Sequence, residues 1–183
     1  MTTLTLNEIR IRAATFAKDF ADAHRENAES QIFWHEFFQV FGLPKRRVIS
    51  FEHNVKKLGC KDGRNGRIDA FWPGTLLVEQ KSRGKDLDAA FTQGNDYFHG
   101  LSHDELPRYV IVSDFARIRL VDVEGVQPVL EFDLKDLPRH SMTCSRPMVL
   151  LATGLKCCWC GCCFACLQTT QVSSRPKARL KIW

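Results

Sequence analysis

The segment Ile68-Asp69-Ala70-Phe71-Trp72-Pro73-Gly74-Thr75-Leu76-Leu77-Val78-Glu79-Gln80-Lys81 sets two apolar, β-prone runs on either side of a Pro-Gly turn. Three charged side chains, Asp69, Glu79 and Lys81, sit where the strands are otherwise greasy. A charge buried in a sheet without a partner or a metal is strongly unfavourable. Acid, acid and lysine on one hairpin therefore point to a divalent-cation site, an arrangement suited to phosphodiester cleavage. Side chains alternate along a strand, so Glu79 and Lys81 share a face and Gln80 points to the back. A two-residue Pro73-Gly74 loop would pair Asp69 with Val78 and turn Glu79 away. A three-residue Pro73-Gly74-Thr75 loop would set Asp69 opposite Glu79 on one face, and a bulge would achieve the same.

With 183 residues the chain is long enough for one domain with a real core. It shows no membrane-length apolar segment and no signal-peptide pattern, so the expectation is a soluble, cytoplasmic protein without membrane association. The net charge of +5 is unevenly spread. Residues 1–140 hold 20 Lys/Arg against all 21 Asp/Glu, whereas residues 141–183 hold 6 Lys/Arg and no acid. Cysteine changes at the same place: Cys60 stands alone before residue 140, and seven more crowd between Cys144 and Cys166. Two regions follow, a domain over 1–140 and a basic, cysteine-rich tail over 141–183.

Thr5-Leu6-Asn7-Glu8 reads as a capping box that opens a helix with Ile9, Ala13, Phe16, Ala17 and Phe20 inward. A second helix carries Phe33, Trp34, Phe37, Phe38 and Phe41 as core, and Gly42 and Pro44 stop it. Strands are predicted at Val48–Phe51, Arg67–Trp72 and Thr75–Lys81, and a third helix over Asp86–Gly100. Further strands follow at Tyr109–Ser113, Arg117–Asp122 and Val129–Phe132. This order gives an α/β fold, a mixed sheet flanked by helices.

Asp69-x9-Glu79-x-Lys81 after a basic loop resembles the core of the PD-(D/E)XK nucleases. Gln93-x3-Tyr97 one helix downstream is similar to RecB-like members, and Glu36 lies on an upstream helix. With Gly66-Arg67-Ile68-Asp69, Glu79-Gln80-Lys81 and Pro107-Arg108-Tyr109-Val110-Ile111-Val112-Ser113-Asp114, residues 5–140 resemble the N-terminal endonuclease domain of MmeI-like (type IIL) restriction–modification enzymes. The resemblance implies a restriction-endonuclease-like fold and metal-dependent hydrolysis of double-stranded DNA. Mg²⁺, with Mn²⁺ able to substitute, would be held by Asp69, Glu79 and the Gln80 carbonyl. Lys81 would stabilise the attacking hydroxide or the phosphorane charge. Glu36 would be a further acid, and Gln93 and Tyr97 would orient Lys81 or the DNA backbone. S-adenosylmethionine belongs to the methyltransferase part of the full-length family and is not expected to bind here. This sequence contains neither an Asn-Pro-Pro-Tyr-type motif nor a glycine-rich cofactor loop.

Phosphate contact is assigned to Lys56, Lys57, Lys61, Arg64 and Arg67, extended by Arg83 and Lys85. Blander readings compete: a solubilising loop for the basic stretch, an exposed ion pair for Glu79 and Lys81, a solvated flank for Glu36, and helix surface for Gln93 and Tyr97. Leu76, Leu77 and Val78 argue against exposure of the Glu79–Lys81 pair. The tail cysteines Cys157, Cys158, Cys160, Cys162, Cys163 and Cys166 lack the separated pairs of a zinc ribbon. The segment Leu167–Arg175 can be written in codons whose shifted frame resembles the spacer of the same enzymes, so a frameshift near residue 141 would explain the tail, an expectation that sequencing the gene decides. The leading expectation is a nuclease domain without its methylating and sequence-reading parts. An inert remnant that binds DNA and a cysteine-cluster zinc protein are the alternatives.

Overall fold

The computed structural model describes residues 4–43, 49–56, 65–125 and 129–142. Helices α1 (Leu6–Asp19) and α2 (Glu26–Val40) come first, then strands β1 (Ser50–Lys56), β2 (Asn65–Trp72) and β3 (Leu76–Gln80). Helix α3 (Leu87–Asp96) runs into a 3-10 turn at Tyr97–Gly100, and β4 (Tyr109–Ser113), β5 (Arg117–Asp122) and β6 (Leu130–Asp133) follow. A short helix α4 (Leu137–Met142) ends the described chain. The six strands lie side by side in chain order. Only β3 and β4 are parallel, joined by the α3 crossover; the other neighbours are antiparallel.

Local chemistry explains the elements. Thr5 and Glu8 form the expected capping box, with the Thr5 N–H donating to the Glu8 carboxylate at 2.7 Å. Gly42 takes a φ of 72° just past α2, a conformation that glycine adopts without a Cβ penalty. The mixed sheet separates two cores. On one face Phe16, Phe33, Trp34 and Phe37 pack with Ala70, Val78, Ile111 and Ile118. On the other, Leu87, Ala90 and Tyr97 cover Ile68, Phe71, Leu77 and Val110. Strands β3 and β4 are buried along their whole length, as a strand covered on both faces must be.

Two elements depart from the sequence reading. Strand β1 occupies Ser50–Lys56 rather than Val48–Phe51, because pairing with β2 recruits the polar run Glu52-His53-Asn54. Helix α4 was not foreseen, and it carries regular structure to Met142, across the composition break at residue 140. The tail from residue 143, with its cysteines, lies outside the described residues, as do Lys57, Lys61 and Arg64.

The β2–β3 turn is the three-residue form. Ala70 pairs with Val78, Phe71 with Leu77 and Trp72 with Leu76, leaving Pro73-Gly74-Thr75 as the loop. Gly74 has a φ of 69°, and a Cβ there would stand 3.2 Å from the Asp104 carbonyl oxygen. Gly74→Ala is therefore expected to lower stability by about 1–2 kcal/mol, read as a fall in the urea midpoint at unchanged slope. An unchanged midpoint would show that the loop relaxes freely.

Candidate active site

Continued by one step, the hairpin register sets Asp69 opposite Glu79. The ladder does not include that step, and β1 contributes to the opening. Phe51 pairs with Ala70 and packs on the α2 side, whereas His53 pairs with Ile68 and lies against Phe71 on the α3 side. Residues two apart on a regular strand share a face. The exchange happens at Glu52, whose φ is 54°, directly across from Asp69. The kink leaves Asp69 out of the ladder, and its Oδ2 accepts the Gln80 N–H at 2.7 Å.

Glu79 is buried, with 3% of its side chain exposed, against 19% for Lys81. The Lys81 ammonium donates to Glu79 Oε1 at 2.6 Å. Glu79 Oε2 is buried without a hydrogen-bond partner among the described residues. Buried carboxylate oxygens normally have partners, so an orphan one marks a place for an unseen donor or cation. Burial, and then the Asp69 charge, push the Glu79 carboxyl up to about 7. Burial likewise raises Asp69, against the lowering effect of the Gln80 N–H.

On the α3 side, Gln93 Nε2 donates to the Tyr97 hydroxyl at 2.8 Å, and that hydroxyl donates to the Arg67 carbonyl at 3.0 Å. Burial and the nearby Glu79 charge push the Tyr97 phenol up to about 12, so it stays protonated as a donor. The Gln93–Tyr97 pair thus borders the two acids.

Glu36 is not brought to this cluster. It is exposed and lines a groove between α1 and α2 with Ile11, Arg12 and Thr15. Trp34 and Phe37 take the inward face of α2, and Glu36 is left on the opposite flank. The helical acid whose field reaches Asp69 and Glu79 is Glu26, the first residue of α2. Nothing in the local pattern around Glu26 distinguishes it from an ordinary first-turn acid, which is why the sequence did not single it out.

The basic residues divide. Arg67 is exposed on β2 and pairs loosely with Glu52 at 3.6 Å. Lys56 is the last residue of β1, and Lys85 is exposed before α3. Arg83 is committed to the fold: its guanidinium donates to the Ala23 and Ala21 carbonyls, at 2.9 and 2.6 Å. It clamps the α1–α2 connection.

The residues fit a hard divalent cation. Among the described residues no group of three or more His, Cys, Asp or Glu gathers in ligating range. Two carboxylates and a main-chain carbonyl remain, a set that suits Mg²⁺, which is commonly bound through one or two carboxylates with waters and phosphate oxygens. Gln80 offers only its backbone, because its side chain is held on the far side of the sheet. Among the described residues no helix is long and apolar enough to cross a membrane.

No curated protein matches the chain. A chain of the "cryoEM structure DrdV-DNA complex" aligns with a TM-score of 0.48 and 17% identity, over 81% of this chain and 14% of that one. This chain therefore spans a small part of that polypeptide's length. The family described as "MmeI, N-terminal domain" matches residues 10–151, more than half of the sequence. The chain belongs to the MmeI N-terminal domain family.

Proposed function

We propose that this domain is a divalent-cation-dependent DNA endonuclease that hydrolyses phosphodiesters at Asp69, Glu79 and Lys81. The observation that carries the reading is a buried Glu79 with an unpartnered oxygen, within the field of an Asp69 carboxylate that is held by the Gln80 N–H. A cation held by Asp69, Glu79 and the Gln80 carbonyl would supply charge neutralisation at the scissile phosphate. Asp69 is oriented for this by the Gln80 N–H. Lys81 balances Glu79 in the present arrangement. Once that carboxylate is shared, the ammonium is the donor for charge developing on the phosphate oxygens.

The Gln93–Tyr97 relay holds the Arg67 backbone, and so fixes β2 two residues before Asp69. Arg67, Lys56 and Lys85 supply sequence-independent phosphate contacts, with Lys57, Lys61 and Arg64 assigned to the same role from sequence. Double-stranded DNA is the expected substrate. Mg²⁺ is the expected ion and Mn²⁺ a substitute.

Calorimetric titration with Mn²⁺ tests the reading. The wild-type chain is expected to bind one equivalent and Asp69→Ala none. Equal binding by both would remove Asp69 from the site.

A further inference from the structure

Lys81 is flanked on both sides by residues tied to α2. Before it, the Trp34 indole N–H donates to Gln80 Oε1 at 2.9 Å, and both side chains are buried. The Gln80 amide then donates to the Lys81 carbonyl at 2.9 Å, while the Gln80 N–H holds Asp69. After it, the Glu26 carboxylate accepts from the Ser82 N–H at 3.0 Å and from the Ser82 hydroxyl at 3.3 Å. The Lys81 N–H itself is fixed to the Ser113 carbonyl of β4 at 2.8 Å.

Packing alone does not call for this arrangement. Leu76 and Val78 fill the same face of β3 with hydrocarbon, and a buried glutamine is tolerated only when its amide is satisfied. The amide here is satisfied by one α2 donor and by the main chain of Lys81. Glu26 repeats the device about two helical turns away, at the start of α2.

We propose that Trp34 and Glu26 are positioning residues that hold Lys81 and Asp69 in register, acting through Gln80 and Ser82, so that the seating of α2 on β3 sets the geometry of the site. The inference rests on the nuclease reading above for its functional meaning. It predicts a separation of function from stability. In Trp34→Phe/Gln80→Leu both partners of the buried bond become apolar, so neither is left unpaired, and the cost to folding is that of the cavity left by the smaller ring. The folded double variant is expected to melt a few degrees lower, as the cavity requires, while its Mn²⁺ dissociation constant, measured well below that temperature, rises about tenfold, the usual scale for residues that orient ligands. Glu26→Ala is expected to weaken Mn²⁺ binding about tenfold as well. Glu26→Gln, whose amide oxygen still accepts from the Ser82 N–H, should restore it.

Amide exchange of Gln80 and Ser82, measured without any cation, separates this inference from the nuclease reading. Faster Ser82 exchange in Glu26→Ala, with no Mn²⁺ binding by wild type, sinks the nuclease and leaves the brace standing. Unchanged Ser82 exchange in that variant overturns the brace. So does unchanged Mn²⁺ affinity in Glu26→Ala and in a folded double variant. Should the double variant fail to fold, the Glu26 pair of variants decides alone.

Discussion

Lys81→Ala is expected to reduce Mg²⁺-dependent nicking of supercoiled plasmid about 10²–10³-fold, with Mn²⁺ binding retained. The direction follows from where the ammonium sits. Its Nζ is 2.6 Å from Glu79 Oε1, in a position that is largely shielded from water. Removing it takes away one donor to the reacting phosphate, and one competitor for the Glu79 carboxylate. Cation affinity should therefore hold or rise while turnover collapses. A purely structural ion pair would behave otherwise: stability would fall and cleavage would follow it in proportion. Nicking that survives in a folded Lys81→Ala preparation would place the chemistry elsewhere.

The hairpin was legible because two constraints met in a short segment. The apolar runs fixed which residues face inward, and only a three-residue loop or a bulge could bring Asp69 and Glu79 together. The structure uses the longer loop, and adds a backbone kink at Glu52. The kink had no signature, because a glutamate with positive φ looks like any other glutamate. Helix α2 shows the same limit. Its aromatic stripe announced a core face, but the indole N–H of Trp34 acts across 46 residues of sequence, on a glutamine that read as the back of a strand. Glu36 enters because the resemblance looks for an acid on the upstream helix, and Glu26 does not enter the sequence reading. Which end of a helix abuts a strand end is decided by tertiary packing, which periodicity does not encode. Arg83 shows it again: its bonds to two carbonyls of the α1–α2 connection had no signature in the sequence, where it read as a basic residue following Lys81.

Glu79 makes the proposed cation site pH-dependent, with a sign set by its burial. Its carboxyl lies at about 7 in the folded chain against an ordinary 4.5, chiefly through burial. Between those values the folded state holds a proton that the unfolded state has released, so stability falls as pH rises through this window. The full loss is about 3 kcal/mol, set by the size of the shift. Glu79→Gln has nothing to ionise, and should flatten the fall in melting temperature between pH 5 and 8. A divalent cation acts on the same group in the opposite sense, since it binds the ionised form. Mn²⁺ affinity is thus expected to be about tenfold weaker at pH 6 than at pH 8, with protons released on binding near neutrality. Saturating cation should restore the stability that the metal-free protein loses as pH rises from about 4.5 to 7. Mn²⁺ titrations at pH 6, 7 and 8, in buffers of different ionisation enthalpy, measure both affinity and proton release. Affinity independent of pH, with no proton released, would mean that Glu79 is not a ligand and that its unpartnered oxygen serves some other end.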